Sequence, residues 1–330
     1  MGGPVLVTGA GGFIGSHLVE ELVRRGRTVR AFAHYNANGT AGWLDALAPD
    51  LRGSVEIVRG DIRDPDGVRR AVAGCRVVMH LAALISIPYS YQAPRSYVTT
   101  NIEGTLNVLR AAIEHEVERV VHTSTSEVYG TAQFVPISEA HPLNAQSPYA
   151  ATKIAADQLA LSFHRSFGLP VAVIRPFNAY GPRQSTRAVI PTIITQALAG
   201  RTRIRLGALH PTRDFNYVQD LAAAFVAVAD SDAAIGGVVN AGSDFEVSIG
   251  EVLALIAEVI GVPLEAECDA PRLRPAASEV ERLWADNRLI RETTGWRPAW
   301  GGREGFRRGL ALTVDWYRAA GSSAGARDHV

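Results

Sequence analysis

Short apolar runs alternate along the first half of the chain with stretches in which apolar positions recur every three or four residues. The runs Pro4–Thr8, Thr28–Ala33, Val55–Arg59, Val77–Leu81, Arg119–Thr123 and Val171–Arg175 predict strands. The intervening stretches Phe13–Gly26, Asp66–Ala73 and Asn101–His115 predict helices. Nearly continuous apolar strands separated by helices imply a parallel sheet covered on both faces. The expected class is α/β, a Rossmann-like doubly wound sheet. Beyond residue 178 the pattern loosens, and Pro and Gly punctuate it from Pro182 to Pro275. Two helices still stand out there, Asp220–Ala229 and Ile249–Ile260. These patterns predict a larger domain over residues 1–178 and a smaller mixed C-terminal domain over 179–320, to which the motifs below assign dinucleotide binding and substrate binding respectively. The chain is expected to return to the large sheet near Val238–Asn240, and residues 321–330, rich in Gly, Ser and Ala, to form a tail.

Composition narrows the functional classes. In 330 residues Lys plus Arg and Asp plus Glu both number 33, so the formal net charge is zero. No basic footprint for nucleic acid or for an anionic membrane is present. The apolar N-terminus lacks the basic start and long apolar run of a signal peptide, and its glycines would break a spanning helix. The two cysteines, Cys75 and Cys268, lie far apart and show no metal-ligand spacing, so no metal is expected. A disulfide framework is not expected on the same ground, and a cytoplasmic setting fits.

Candidate chemistry begins at the first predicted strand. Gly9, Gly12 and Gly15 follow it in the pattern G-x-x-G-x-x-G, and Phe13 and Ile14 open the helix. Glycines there permit a tight turn and let backbone N–H groups approach a pyrophosphate at the positive helix end. The competing reading is an ordinary strand–helix turn. A carboxylate for the adenosine ribose is expected about 20 residues further on. The segment Ala33-His34-Tyr35-Asn36 offers none, and Arg30 should lie within the strand. No arginine cluster awaits a 2′-phosphate either, so NAD is the expected cofactor, with NADP left open. Asp61 and Ile62 follow the third strand, where Asp61 either meets the adenine edge or simply caps the strand end.

Tyr149 and Lys153 stand four apart in SPYAATK and share one helix face. An ammonium beside a phenol favours the phenolate, which then accepts a hydroxyl proton while hydride leaves the same carbon. Taken alone this spacing arises by chance on many amphipathic helices. Its position after a glycine turn, HLAA at 80–83 and a Ser/Thr-rich strand end at 123–126 is what gives it weight.

These segments carry a resemblance. With TGAGGFIG at 8–15, GDI at 60–62, NIEGT at 101–105, STSEVYG at 124–130, RPFNAYGPRQ at 175–184 and RDFNYVQD at 213–220, the chain to about residue 315 resembles the extended short-chain dehydrogenases/reductases of the NAD-dependent epimerase and dehydratase family. The resemblance implies that Thr125, Tyr149 and Lys153 are catalytic. It implies a cofactor held by Gly9, Gly12, Phe13, Ile14, Gly15, Asp61, Ile62, Leu81, Ala82, Ala83, Tyr149 and Lys153. Asn101 would hold the active-site helix; Ser86, Thr125, Asn178, Arg187, Arg213 and Arg274 would bind a nucleotide-sugar substrate, the last two clasping its diphosphate. A guanidinium fork suits that group because it donates two parallel hydrogen bonds, although loop arginines are as often simply solvated. The segment after Arg274 carries an insertion relative to the usual pattern. Related enzymes dimerise through the helices that here contain 101–115 and 149–167, so a homodimer is expected.

Within that family Glu127 points to the nucleotide-sugar 4,6-dehydratases, which carry an acid at this position where epimerases carry a small or apolar residue. Strand alternation would put Thr125 and Glu127 on one face. The glucose-type dehydratases read T-D-E, so Ser126 here replaces an Asp. LISIPYSY at 84–91 and QSTRAVIPTIITQ at 184–196 further resemble 4,6-dehydratases acting on UDP- or GDP-N-acetylglucosamine. The implied product is a 4-keto-6-deoxy sugar. A C4-epimerase is the alternative, and a non-catalytic cofactor sensor on the same fold is a remote one.

Overall fold

A computed structural model describes residues 3–273 and 275–321. Its strands are β1 (Val5–Thr8), β2 (Val29–His34), β3 (Val55–Gly60), β4 (Val77–His80), β5 (Arg119–Thr123), β6 (Val171–Pro176), β7 (Asn178–Tyr180), β8 (Arg203–Leu206), β9 (Thr212–Tyr217), β10 (Val238–Ala241), β11 (Glu246–Ser248) and β12 (Glu265–Cys268). A seven-stranded sheet has the order β10-β6-β5-β4-β1-β2-β3, and its pairings are parallel.

Period-two alternation explains the two covered faces. Val5, Val7, Met79, Val121 and Ile174 enter one core cluster with Leu18, Leu22, Leu221 and Phe225, from the helices Phe13–Arg24 and Val218–Asp230. Leu6, Val78, Val120 and Val173 enter the other with Val68, Val108 and Leu161, from the helices Pro65–Val72, Gly104–Glu114 and Pro148–Phe167. The return near Val238 is a full strand, in register with Val173 through Ala241 opposite Pro176.

A smaller mixed sheet, β11-β9-β7, starts from β7 almost directly after β6. It packs with the helices Val189–Leu198, Ile249–Ile260 and Gly302–Ala320 around Phe215, Ile256, Phe306 and Leu310. The helix Ile249–Ile260 matches its sequence expectation because both ends are encoded locally. Ser248 and Glu251 form a capping box, and Gly261 ends the helix in a left-handed conformation. The helix expected over 101–115 is regular only from Gly104; Asn101 lies in a π-helical turn, Val98–Glu103.

Strand order reverses between β1 and β4, and crevices at the carboxyl ends of such strands are where doubly wound sheets bind ligands. The glycine turn, HLAA and STSEVYG all follow those ends.

Candidate active site

The glycine turn is shaped by backbone contact. Gly9 has φ +68°, and a Cβ there would stand 2.9 Å from the Ala82 amide nitrogen. A Cβ at Gly15 would stand 2.2 Å from the Gly9 carbonyl oxygen, so only glycine lets the helix start this close to the strand. Thr8 ties the turn to β4: its hydroxyl accepts the Leu81 and Ala82 N–H groups, both at 3.1 Å, and meets His80 Nδ1 at 2.8 Å. No side chain caps the helix that starts at Phe13, and Gly12 offers no Cβ. Its first-turn N–H groups, those of Phe13, Ile14 and Gly15, therefore suit a pyrophosphate. Ile62 is buried beneath Gly104, where an added Cβ would lie 3.0 Å from the Ile62 side chain. Asp61 is engaged by Arg63 through both carboxylate oxygens, which holds its carboxyl below the usual range. Arg30 turns away from the ribose end of β2, donating to Glu56 at 2.7 Å and to the Ala71 and Ala73 carbonyls. Asn36 closes a turn onto Thr40.

The helix Pro148–Phe167 begins with Ser147, whose hydroxyl accepts the Ala150 N–H at 3.1 Å, and with Pro148 in the first turn. That start places Tyr149 and Lys153 on the buried face, 7% and 4% exposed. Lys153 Nζ donates to the Thr123 carbonyl at 2.5 Å. Burial lowers the Lys153 pKa to about 8, against the opposing pull of Asp157. The expectation of a lowered Tyr149 pKa does not hold in the free chain. Burial raises it, the Glu127 charge adds to the rise, and a hydrogen bond with Thr125 opposes it.

Glu127 reaches the site by a different route from the one its spacing predicts. β5 stops at Thr123, so strand alternation does not extend to residues 125 and 127. Thr125 is extended and caps a 3-10 turn, Ser126–Tyr129, its hydroxyl accepting the Glu127 N–H at 3.2 Å. The Ser124 side chain turns instead to Asp157. Thr125 and Glu127 are both buried.

Asn101 joins the segment after β4 to the helix that carries Tyr149. Its amide clamps the Leu84 backbone, accepting from N–H at 2.8 Å and donating to the carbonyl at 3.0 Å, and it donates to Thr152 at 3.1 Å. Tyr97, which no sequence motif marks, lies edge-on to Tyr149 with ring centres 6.3 Å apart and donates to the Ser86 carbonyl at 2.5 Å. Asn178 opens β7 with its buried Oδ1 lacking a hydrogen-bond partner, a polar atom that a ligand would satisfy. Arg187 is exposed, near enough for its charge to act on Tyr97. Arg213 is buried on β9, donating to the Thr212 carbonyl and facing Glu279 at 3.4 Å. Nothing in the sequence singles out Glu279 beyond its place after Arg274. Arg274 itself, and the tail beyond Gly321, lie outside the described residues.

Among the described residues no His, Cys, Asp and Glu cluster is disposed to hold a metal ion, and no helix is long and apolar enough to cross a membrane. A glycine cradle at the switch point of a parallel sheet, with a threonine, a tyrosine and a lysine beside it, defines an extended short-chain dehydrogenase/reductase. Residues 6–309 match the family model described as GDP-mannose 4,6 dehydratase, and the chain belongs to that family of NAD-dependent nucleotide-sugar dehydratases and epimerases. Its relatives divide between the two activities. It is 37% identical to a UDP-glucose 4-epimerase of Mycolicibacterium smegmatis, covering 95% of this chain and 98% of that protein. It is 34% identical to a dTDP-glucose 4,6-dehydratase of Streptomyces antibioticus, covering 95% and 92%. Among solved structures, the dTDP-glucose 4,6-dehydratase DesIV of Streptomyces venezuelae, with NAD and TYD bound, superposes with a TM-score of 0.85 at 31% identity, covering 96% of this chain and 97% of that one.

Proposed function

We propose that this protein is a nucleotide-sugar 4,6-dehydratase acting with NAD on UDP- or GDP-N-acetylglucosamine. The observation that supports dehydration over epimerisation is a buried carboxylate, Glu127, whose charge acts on Tyr149. Epimerisation needs no base at C5. NAD, held at the Gly9–Gly15 turn, would supply a hydride acceptor for C4 and a hydride for C6, the latter matched by a solvent proton at C5. Tyr149 accepts the C4 hydroxyl proton, with Thr125 hydrogen-bonded to it and Lys153 holding a positive charge one helical turn behind. The new 4-keto group acidifies the C5 proton. Glu127 removes that proton and helps expel the C6 hydroxyl as water, a double duty consistent with Ser126 standing where glucose-type enzymes have an Asp. Asn178, Arg187, Arg213, Arg274 and Ser86 are assigned to the substrate. The same reading makes the protein a cytoplasmic homodimer. The test is incubation of the purified protein with a panel of nucleotide sugars, reading loss of one water by mass spectrometry. Inversion at C4 with no water lost from any of them favours the epimerase reading, which the 37% identity to a UDP-glucose 4-epimerase keeps in view.

Arg213→Ala is expected to weaken substrate binding through loss of a charged hydrogen-bonding contact, about 1.5–3 kcal/mol. NAD affinity should stay within a factor of two to three. Separate titrations of cofactor and nucleotide sugar check this, and equal losses for both would remove Arg213 from the substrate site.

A further inference from the structure

Behind Lys153, away from the Tyr149 hydroxyl, lies a sealed compartment of polar groups that the reaction does not use directly. Asp157 stands one turn further along the same helix and is completely buried. Its Oδ2 accepts from Ser124 at 2.7 Å and from Arg175 Nε and Nη2 at 3.2 and 3.0 Å. Its Oδ1 lies 3.3 Å from His122 Nε2. Arg175 also donates to Tyr129, whose hydroxyl donates to Asn240 on β10. Ser124 sits between Thr123, whose carbonyl takes the Lys153 ammonium, and Thr125, which bonds Tyr149. Asp157 is thus connected to both sides of the catalytic pair.

Charge counting gives this arrangement a purpose. The charged groups of this compartment are Lys153 and Asp157 from one helix and Arg175 from β6; Lys153 and Arg175 both act on His122 of β5, Lys153 acts on His80 of β4, and Glu127 acts on Tyr149 at the other end. Both histidines are fully buried and kept neutral by burial. Around His122 the buried charges are two cations, Lys153 and Arg175, and one anion, Asp157, while Glu127 lies at the Tyr149 end. Without Asp157 no anion beside His122 would offset Lys153 and Arg175, and the lysine, which holds its proton less tightly than the arginine, would give it up first.

We propose that Asp157 is a positioning residue for the oxidation step: its buried carboxylate keeps the Lys153 ammonium charged behind Tyr149, while Ser124 and Arg175 hold that carboxylate in place. The proposal rests on the role of Lys153 given above. C4 oxidation is common to dehydratase and epimerase, so the test stands whichever product forms.

The experiment follows reduced nicotinamide in a single turnover of NAD-loaded protein, from pH 6 to 10, with the nucleotide sugar from the panel that gives the largest signal. In Asp157→Asn the alkaline limb of the oxidation rate is expected to move to lower pH by about one unit, a roughly tenfold loss at pH 9 with little change at pH 6.5. Arg175→Gln removes the other cation while its amide can still donate to Asp157, and should move the limb the opposite way. Circular dichroism and bound NAD identify variants that have folded. A structural role alone would lower Tm and scale the whole profile without displacing it. An unmoved limb in whichever variant folds overturns the proposal; opposite displacements, or the predicted displacement in the one that folds, support it. If no nucleotide sugar reduces the cofactor in the wild type, it is the functional reading that fails.

Discussion

Tyr149→Phe slows C4 oxidation by roughly 10²–10⁴-fold, the usual weight of a positioned acid–base group. The substitution removes one hydroxyl from a ring that is 7% exposed and packed edge-on against Tyr97. The ring contact survives. The lost hydrogen bond with Thr125 costs about 1 kcal/mol of stability. Fold and cofactor content should therefore be retained while turnover falls. Burial raises the Tyr149 pKa in the free chain, so the phenol must first release its own proton before its oxygen accepts that of the substrate hydroxyl as hydride leaves. Single-turnover absorbance in the reduced-nicotinamide band measures this step directly. A variant with wild-type rate would remove Tyr149 from the mechanism.

Glu127→Gln is expected to separate the two halves of the reaction. The amide keeps nearly the shape of the acid but does not accept a proton at neutral pH, so elimination should fall by the 10²–10⁴-fold typical of a general base. The backbone N–H of residue 127 still caps onto Thr125, and Thr125, Tyr149 and Lys153 are unchanged. C4 oxidation should proceed, reduced cofactor should accumulate, and no 4-keto-6-deoxy product should form. Solvent deuterium should enter C5 with the wild type and far less with the variant. An epimerase behaves otherwise: the wild type inverts C4, releases no water and tolerates the amide.

Much of the frame is legible in the amino-acid sequence. The large-sheet strands fall within a residue or two of their expected ends because each is an apolar run bounded by turn residues. Gly9, Gly12 and Gly15 announce a close strand–helix junction, and the clashes an added Cβ would meet at Gly9 and Gly15 are its physical content. Tyr149 and Lys153 share a face because helical periodicity is local. The family follows from the order of these segments along the chain.

Other features depend on contacts across the fold. Glu127 reaches the site through a capped 3-10 turn, since β5 ends where Thr123 pairs with Ile174 of β6 and the Ser124 side chain turns to Asp157. Tyr97 and Glu279 meet Tyr149 and Arg213 across 52 and 66 residues of chain. His122, Asp157, Arg175 and Asn240 come from β5, the Tyr149 helix, β6 and β10, and although Arg175 opens the RPFNAYGPRQ segment, nothing in their spacing says that the four meet. The tyrosine pKa departs from its expected direction for the same reason: an ammonium four residues away is local information, whereas desolvation is set by everything packed around the ring. Periodicity and turn chemistry act over a few residues, and so the sequence by itself determined the elements, the cradle and the helix face bearing Tyr149 and Lys153. Burial and charge balance are sums over the whole neighbourhood, and only the tertiary structure decided them.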